Sequence, residues 1–182
     1  MVEQMKWVER TFEFSFPVGV YPCIVERLRG LPARVEELVT TLPGQVLTRK
    51  VDAQWSIQEH IGHLLDLEEL GEKRLADYAA GAETLTPADM QNRRTEEANH
   101  NAHPIGEILG ALRSARLELV RKLEHLGGQD AARSSVHPRL KKPMRLVDWC
   151  YFMAEHDDHH VARITALGRL LNRGNRRKVD LP

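Results

Sequence analysis

His156 and His160 stand four residues apart in a stretch whose apolar residues recur at helical spacing. At roughly 100° per residue, Trp149, Phe152, Met153, His160, Leu167 and Leu171 fall within about 60° of His156, so both imidazoles occupy a core-facing stripe. Two adjacent buried imidazoles are costly, because each brings a polar ring into an apolar layer and their charged forms repel. A divalent metal ion removes both penalties, and the i, i+4 spacing lets two ring nitrogens reach one ion at about 2.0–2.1 Å. His159 falls at the edge of the stripe, where it suits a group that hydrogen-bonds a ligand, or a surface group, better than a ligand. Asp157 and Asp158 point away from the stripe and are expected on a solvated face. Arg163 lies about 20° from His156 on the same stripe, where a guanidinium could meet an anionic substrate.

Two histidines rarely complete a site, so a third ligand is expected from the inner face of another helix. His60 and His63 both qualify. The apolar arc formed by Ile57, Ile61, Leu64, Leu65 and Leu75 lies closer to His60, so periodicity slightly favours His60 and leaves the choice open.

The elements that must carry these residues are helical. Phe12, Phe14 and Phe16 alternate with Glu13 and Ser15 in an extended N-terminal arm over residues 1–20 with one apolar face. Cys23 to Arg29 reads as a turn or two of helix before Gly30 and Pro32, and Val35, Leu38, Val39 and Leu42 mark a first long helix that Pro43 and Gly44 end. Ser56 with Glu59 makes a capping box for a second helix running to about Ala80. Gly81 to His103 is a long connection with partial helix, which permits a crossover. Ile105 to Leu126 forms a third helix, Gln129 to Pro143 a polar and basic loop, and a fourth helix runs to about Asn172. The predicted fold is all-α, a four-helix bundle in one domain spanning residues 1–182.

The totals narrow the function classes. Lys plus Arg number 26 and Asp plus Glu also 26, so no net field draws the chain to nucleic acid or to an anionic membrane. The basic residues Arg169, Arg173, Arg176, Arg177 and Lys178 read as a solvated helix end. Cys23 and Cys150 sit in apolar surroundings and are expected to be inert, reduced core thiols. Glu3, Lys6, Glu9, Arg10 and Glu13 break any apolar run near the start, and a cytoplasmic protein is expected.

The segment from Trp55-Ser56 through His63-Leu64 resembles the W-[ST]-x-x-x-x-x-x-H run of DinB-like metal-binding proteins. His156-Asp157-Asp158-His159-His160-Val161-Ala162-Arg163-Ile164-Thr165 is similar to that family's H-x-x-H-H-[IV]-A-x-I-T stretch, and Val136-His137-Pro138 resembles its His-Pro approach to the last helix. The resemblance implies an up-down-down-up bundle, commonly dimeric, with His63, His156 and His160 as the ligands of one divalent ion, zinc or nickel. His60 then becomes, like His159, a group that supports a ligand. Gly62 and Arg163 depart from the family, some of whose members place histidine there. The superfamily includes hydrolases and bacillithiol and mycothiol transferase-like proteins, so the implied function is a metal-dependent hydrolase or a low-molecular-weight-thiol S-transferase acting on a small molecule. The competing expectation is a non-catalytic stress or interaction module with a structural metal. The apolar arm, which could cover a neighbouring copy, points to a homodimer.

Overall fold

The computed structural model describes residues 2–179, with side chains up to residue 172, so the side chains of Arg173, Arg176, Arg177 and Lys178 lie outside the described residues. Nine helices are found in this span: α1 (Tyr21–Arg29), α2 (Leu31–Thr40), α3 (Gly44–Leu47), α4 (Ile57–Asp66), α5 (Glu68–Ala80), α6 (Arg93–Glu97), α7 (Ile105–Glu124), α8 (Gly128–Ala131) and α9 (Leu146–Val179). They assemble into four rods, α1–α2, α4–α5, α7 and α9. The first two rods each pack on α7 and α9. None of the described helices is long and apolar enough to cross a membrane.

The rods have legible local causes. Gly30 is itself helical, so α1 and α2 join with a single-residue break where two separate elements were expected. Pro32 has no N–H to give the Leu28 carbonyl, and Arg116 Nη1 supplies one from α7 at 3.4 Å. Ser56 Oγ accepts the Glu59 N–H at 3.1 Å while Glu59 Oε2 accepts the Ser56 N–H at 2.8 Å, the expected capping box. The second rod turns at Leu67, and Gly81, at φ 67°, closes it with the left-handed geometry that glycine adopts without strain.

The core has two apolar halves. One gathers Val25, Leu28, Tyr78, Leu119, Leu123, Val147 and Trp149, and the other Leu31, Val35, Ile57, Ile61, Leu112 and Ile164. The first rod runs from the former half to the latter, α4–α5 and α7 run back, and α9 runs forward again. This is the up-down-down-up order, and the connection over residues 81–104 is the crossover that it requires.

A polar layer separates the halves. Arg116 donates through Nε and Nη2 to Glu68 Oε1 at 2.8 and 2.6 Å, and through Nη1 to Asp157 Oδ2 at 2.5 Å. Asp157 is therefore not on the solvated face expected of it, being 2% exposed. Helical angle alone could not reveal that a buried arginine from α7 waits on that side of α9. Asp158 is only half-buried, and Arg27 and Arg34 hold it against α1 and α2.

Three further expectations change. The loop from Gln129 to Pro143 contains α8 and a two-stranded antiparallel hairpin, β1 (Ser134–His137) with β2 (Lys142–Arg145), paired from Ser134 with Arg145 to His137 with Lys142. Cys23 is exposed, and only Cys150 is a core thiol. The arm lies on its own bundle: Phe12 is buried, Phe16 packs on Tyr151 at 5.1 Å between ring centroids, and Arg145 Nη2 holds the Phe16 carbonyl at 3.0 Å. Trp7, Phe14 and Phe16 pack on the same core while remaining partly exposed.

Removing the Arg116 guanidinium strands two carboxylates in the core. Arg116→Met is expected to lower the unfolding free energy by about 3–5 kcal/mol, against under about 1 kcal/mol for Arg113→Ala, whose pair with Glu36 is exposed. Urea denaturation of both variants measures the difference.

Candidate metal centre

α9 presents His156 and His160 beside this polar layer, and α4 brings His63 to meet them. The ligand nitrogens of the three all lie within 4.8 Å of one another. His160 Nε2 and His156 Nε2 are 3.2 Å apart, close to the separation of about 3.3 Å that two imidazoles adopt on one tetrahedral ion at bonds of 2.0–2.1 Å. His60, which periodicity favoured, sits behind this group: its Nδ1 meets His160 Nδ1 at 2.9 Å. That contact lets His160 carry its proton on Nδ1 and turn the Nε2 lone pair toward His156. His60 thus orients the His160 ring.

His63 is oriented by a chain that sequence reasoning missed. Thr95 Oγ1 donates to Asp66 Oδ2 at 2.9 Å, so it accepts the Nδ1–H of His63 at 3.0 Å and leaves Nε2 free. His100 Nε2 donates to the same carboxylate oxygen at 2.8 Å. The His100 ring also fills the space beside Gly62, where a Cβ would lie 2.2 Å from it. Gln58 Nε2 anchors the loop by donating to the carbonyls of His100 at 2.6 Å and His103 at 2.7 Å. No local pattern marks Thr95 or His100, because each acquires its role only when residues 93–103 fold back on α4.

Two indoles wall the centre. Trp55 lies 4.7 Å from His63 and 6.2 Å from His160 between ring centroids. Trp7, from the arm, meets the His156 ring edge-on at 4.9 Å. Between them opens a cavity of about 550 Å³ on which His63, His156 and His160 all border, with Leu67, Leu70, Met90, Phe152 and Met153 as apolar lining. Arg163 is not part of that lining. Its Nη2 donates to Gln54 Oε1 at 3.0 Å, outside the cavity. His159 faces the arm, its Nδ1 3.1 Å from Gln4 Nε2.

Burial keeps the histidines neutral. It lowers His60 to about 4, with the charge of Arg163 adding to the effect, and it lowers His63 to about 4 against the opposing charge of Asp66. His156 and His160 are pushed well below the usual imidazole value by burial and by neighbouring histidines. Three neutral imidazole nitrogens converging on one point fit a borderline divalent ion such as zinc or nickel.

The family model described as the DinB superfamily matches residues 27–164, about three quarters of the chain. The chain belongs to the DinB superfamily. Among solved structures it is similar to YfiT from Bacillus subtilis, a probable metal-dependent hydrolase with an unusual four-helix bundle topology. The TM-score is 0.79 at 20% identity, over 90% of this chain and 94% of that one. At that identity the likeness concerns the fold. No curated protein matches the chain.

Two outcomes are expected of this DinB protein. Gly62→Ala must displace a buried, hydrogen-bonded ring, so it should destabilise the protein by about 1–3 kcal/mol and weaken metal binding through the Asp66–Thr95–His63 chain. Competition with a chromophoric chelator measures the second effect. The other concerns acid. His60 and His63 titrate lower in the fold than in the unfolded chain, so their stabilising contribution is present above pH 6.5 and is lost as pH falls toward about 4. Unfolding free energies of chelated protein from urea denaturation between pH 7 and pH 4.5 should decline by up to about 1.4 kcal/mol per pH unit for each group. The decline should be shallower in a His60→Gln, His63→Gln variant.

Proposed function

We propose that this protein is a metal-dependent enzyme in which His63, His156 and His160 hold one divalent ion, zinc or nickel, and that its reaction is hydrolysis of a small molecule. The observation that carries this reading is the position of the three histidines on the wall of a large cavity, with no fourth His, Cys, Asp or Glu in their group among the described residues. A structural site is usually closed by four protein ligands, whereas three ligands facing a cavity are the arrangement of a site that takes substrate. A bound ion would supply Lewis-acid polarisation of an acyl oxygen and make a nearby water or thiol more acidic.

The chain's own residues supply the rest. Thr95 and His60 fix the two ligand tautomers. Trp7 and Trp55 shield the centre from bulk water and narrow the approach to the cavity side, where interactions with developing charge are strengthened by the lower dielectric. The size of the cavity supports a second reading, S-transfer from a low-molecular-weight thiol, because about 550 Å³ is room for a thiol and an acceptor side by side.

Elemental analysis of purified protein should find one equivalent of divalent metal, and the His63→Ala, His156→Ala variant should hold less than about a tenth of it. Retention of a full equivalent in that variant would sink the ligand set. Cobalt-substituted protein distinguishes the two chemistries. Ester or amide turnover with a visible spectrum indifferent to added thiol supports the hydrolase, and a new thiolate-to-cobalt band supports the transferase. Absence of both, with metal removal still lowering the melting temperature, would leave a structural metal.

A further inference from the structure

The hairpin turn places polar groups in the cavity that neither the histidine centre nor the fold uses. His137 ends β1 and is 2% exposed. Its Nδ1 accepts the Leu140 N–H at 3.2 Å, which leaves the ring proton on Nε2. That Nε2–H is buried without a hydrogen-bond partner among the described residues, and His137 lines the cavity. Arg139, two residues on, repeats the situation: its Nη2 is buried and unpartnered, and it too lines the cavity. Arg74 joins them from α5. It is 5% exposed, and its one side-chain hydrogen bond among the described residues runs from Nε to the Thr86 carbonyl at 2.9 Å.

Unpartnered buried donors cost about 1–3 kcal/mol each and are rare, so two on neighbouring residues of one turn call for an acceptor. The described residues offer them none. Asp89, the one carboxylate among the lining residues, is taken by the Gln91 and Arg93 amides and by Arg93 Nε, at 3.0–3.1 Å. Burial lowers Arg74 to about 10, which leaves it charged at neutral pH, and burial together with the charges of Arg74 and Arg139 lowers His137 to about 3, which leaves it neutral. The group therefore presents two guanidinium charges and one neutral N–H donor.

We propose that His137, Arg139 and Arg74 form a carboxylate-binding subsite of the cavity, so that the substrate is a small amphiphilic acid. A planar carboxylate offers two oxygens in the geometry that a guanidinium edge and a neighbouring N–H can meet together. The Trp7 ring neighbours both this group and the histidine centre. The Arg139 guanidinium lies 6.0 Å from the Trp7 ring centroid, and the same ring lies 4.9 Å from that of His156. An acid seated on the turn lays its apolar body along Trp7 and Phe152 and carries its reacting bond to His63, His156 and His160. That last step rests on the proposed function, and the binding subsite does not.

Isothermal titration of the full-length protein with 2-naphthoate and its neutral isostere 2-naphthamide, first as purified and then after chelation, tests the subsite. The acid should bind at least about tenfold more tightly than the amide in both states, the value of one charge-assisted hydrogen bond. Arg139→Gln should weaken naphthoate about tenfold or more and naphthamide less than about threefold. His137→Asn keeps an acceptor for the Leu140 amide but lacks the outer donor, and should weaken naphthoate selectively. If Arg139→Gln does not fold, Arg139→Lys keeps the charge without the fork and should lose part of the preference. Absence of any preference for the acid, or a preference untouched in both variants, overturns the subsite. A preference that disappears on chelation and survives Arg139→Gln assigns the anion to the histidine centre, which overturns the subsite while upholding the metal reading. A preference indifferent to chelation and lost in the variants upholds the subsite even where the metal reading fails.

Discussion

One buried guanidinium holds the architecture in register. Arg116, on α7, reaches Glu68 on α5, Asp157 on α9 and the Leu28 carbonyl at the end of α1, and so touches every rod of the bundle. Burial alone would lower its pKa, but Asp157 and Glu68 outweigh burial and keep it charged, while burial pushes both carboxyl groups upward against the pull of the guanidinium. Apolar side chains of similar volume can fill such a layer as stably, yet they would not specify which rotation of α9 faces α7. Asp157 follows His156 directly, so the contact that fixes Asp157 also fixes the direction of the histidine.

That constraint explains why the site sits where it does. A bundle core apolar from end to end would have no place for three imidazoles, since each needs a partner for one ring nitrogen. The polar layer interrupts the core, and α6 and the connection after it supply Thr95 and His100 to α4 at the same place. The crossover over residues 81–104 thus does two things in one segment: it carries the chain back for α7 to run parallel to α4–α5, and it orients His63.

The cavity has a division of labour that follows from its walls. Its lining combines neutral imidazoles, indoles and aliphatic side chains, and cationic groups from the hairpin turn and α5. The N-terminal arm belongs to this enclosure. Trp7 reaches it because Phe12, Phe14 and Phe16 seat the arm on the bundle, and because Arg10 is tied to Glu155 on α9. The arm thereby contributes Trp7 and Val8 to the cavity wall.

The sequence by itself determined the helical rods, their approximate ends, the Ser56–Glu59 cap and the histidine pair on α9, because each depends on periodicity or on contacts between residues a few positions apart. It also carried the family resemblance, whose expected bundle order is the one found. Periodicity left His60 and His63 unresolved and only the resemblance preferred His63, since both lie on the inner side of one helix and the depth at which α4 meets α9 decides which of them faces His156 and His160. Tertiary structure alone decided that Asp157 is buried, that Arg163 turns to Gln54 and away from the cavity, that the polar loop before α9 contains a hairpin, that Thr95 and His100 bond the Asp66–His63 chain, and that His137 and Arg139 line the cavity. For Asp157, Arg163, Thr95 and His100 the partner lies tens of residues away, and a side chain's burial or charge pairing over that distance is set by how the rods pack, which no local pattern records.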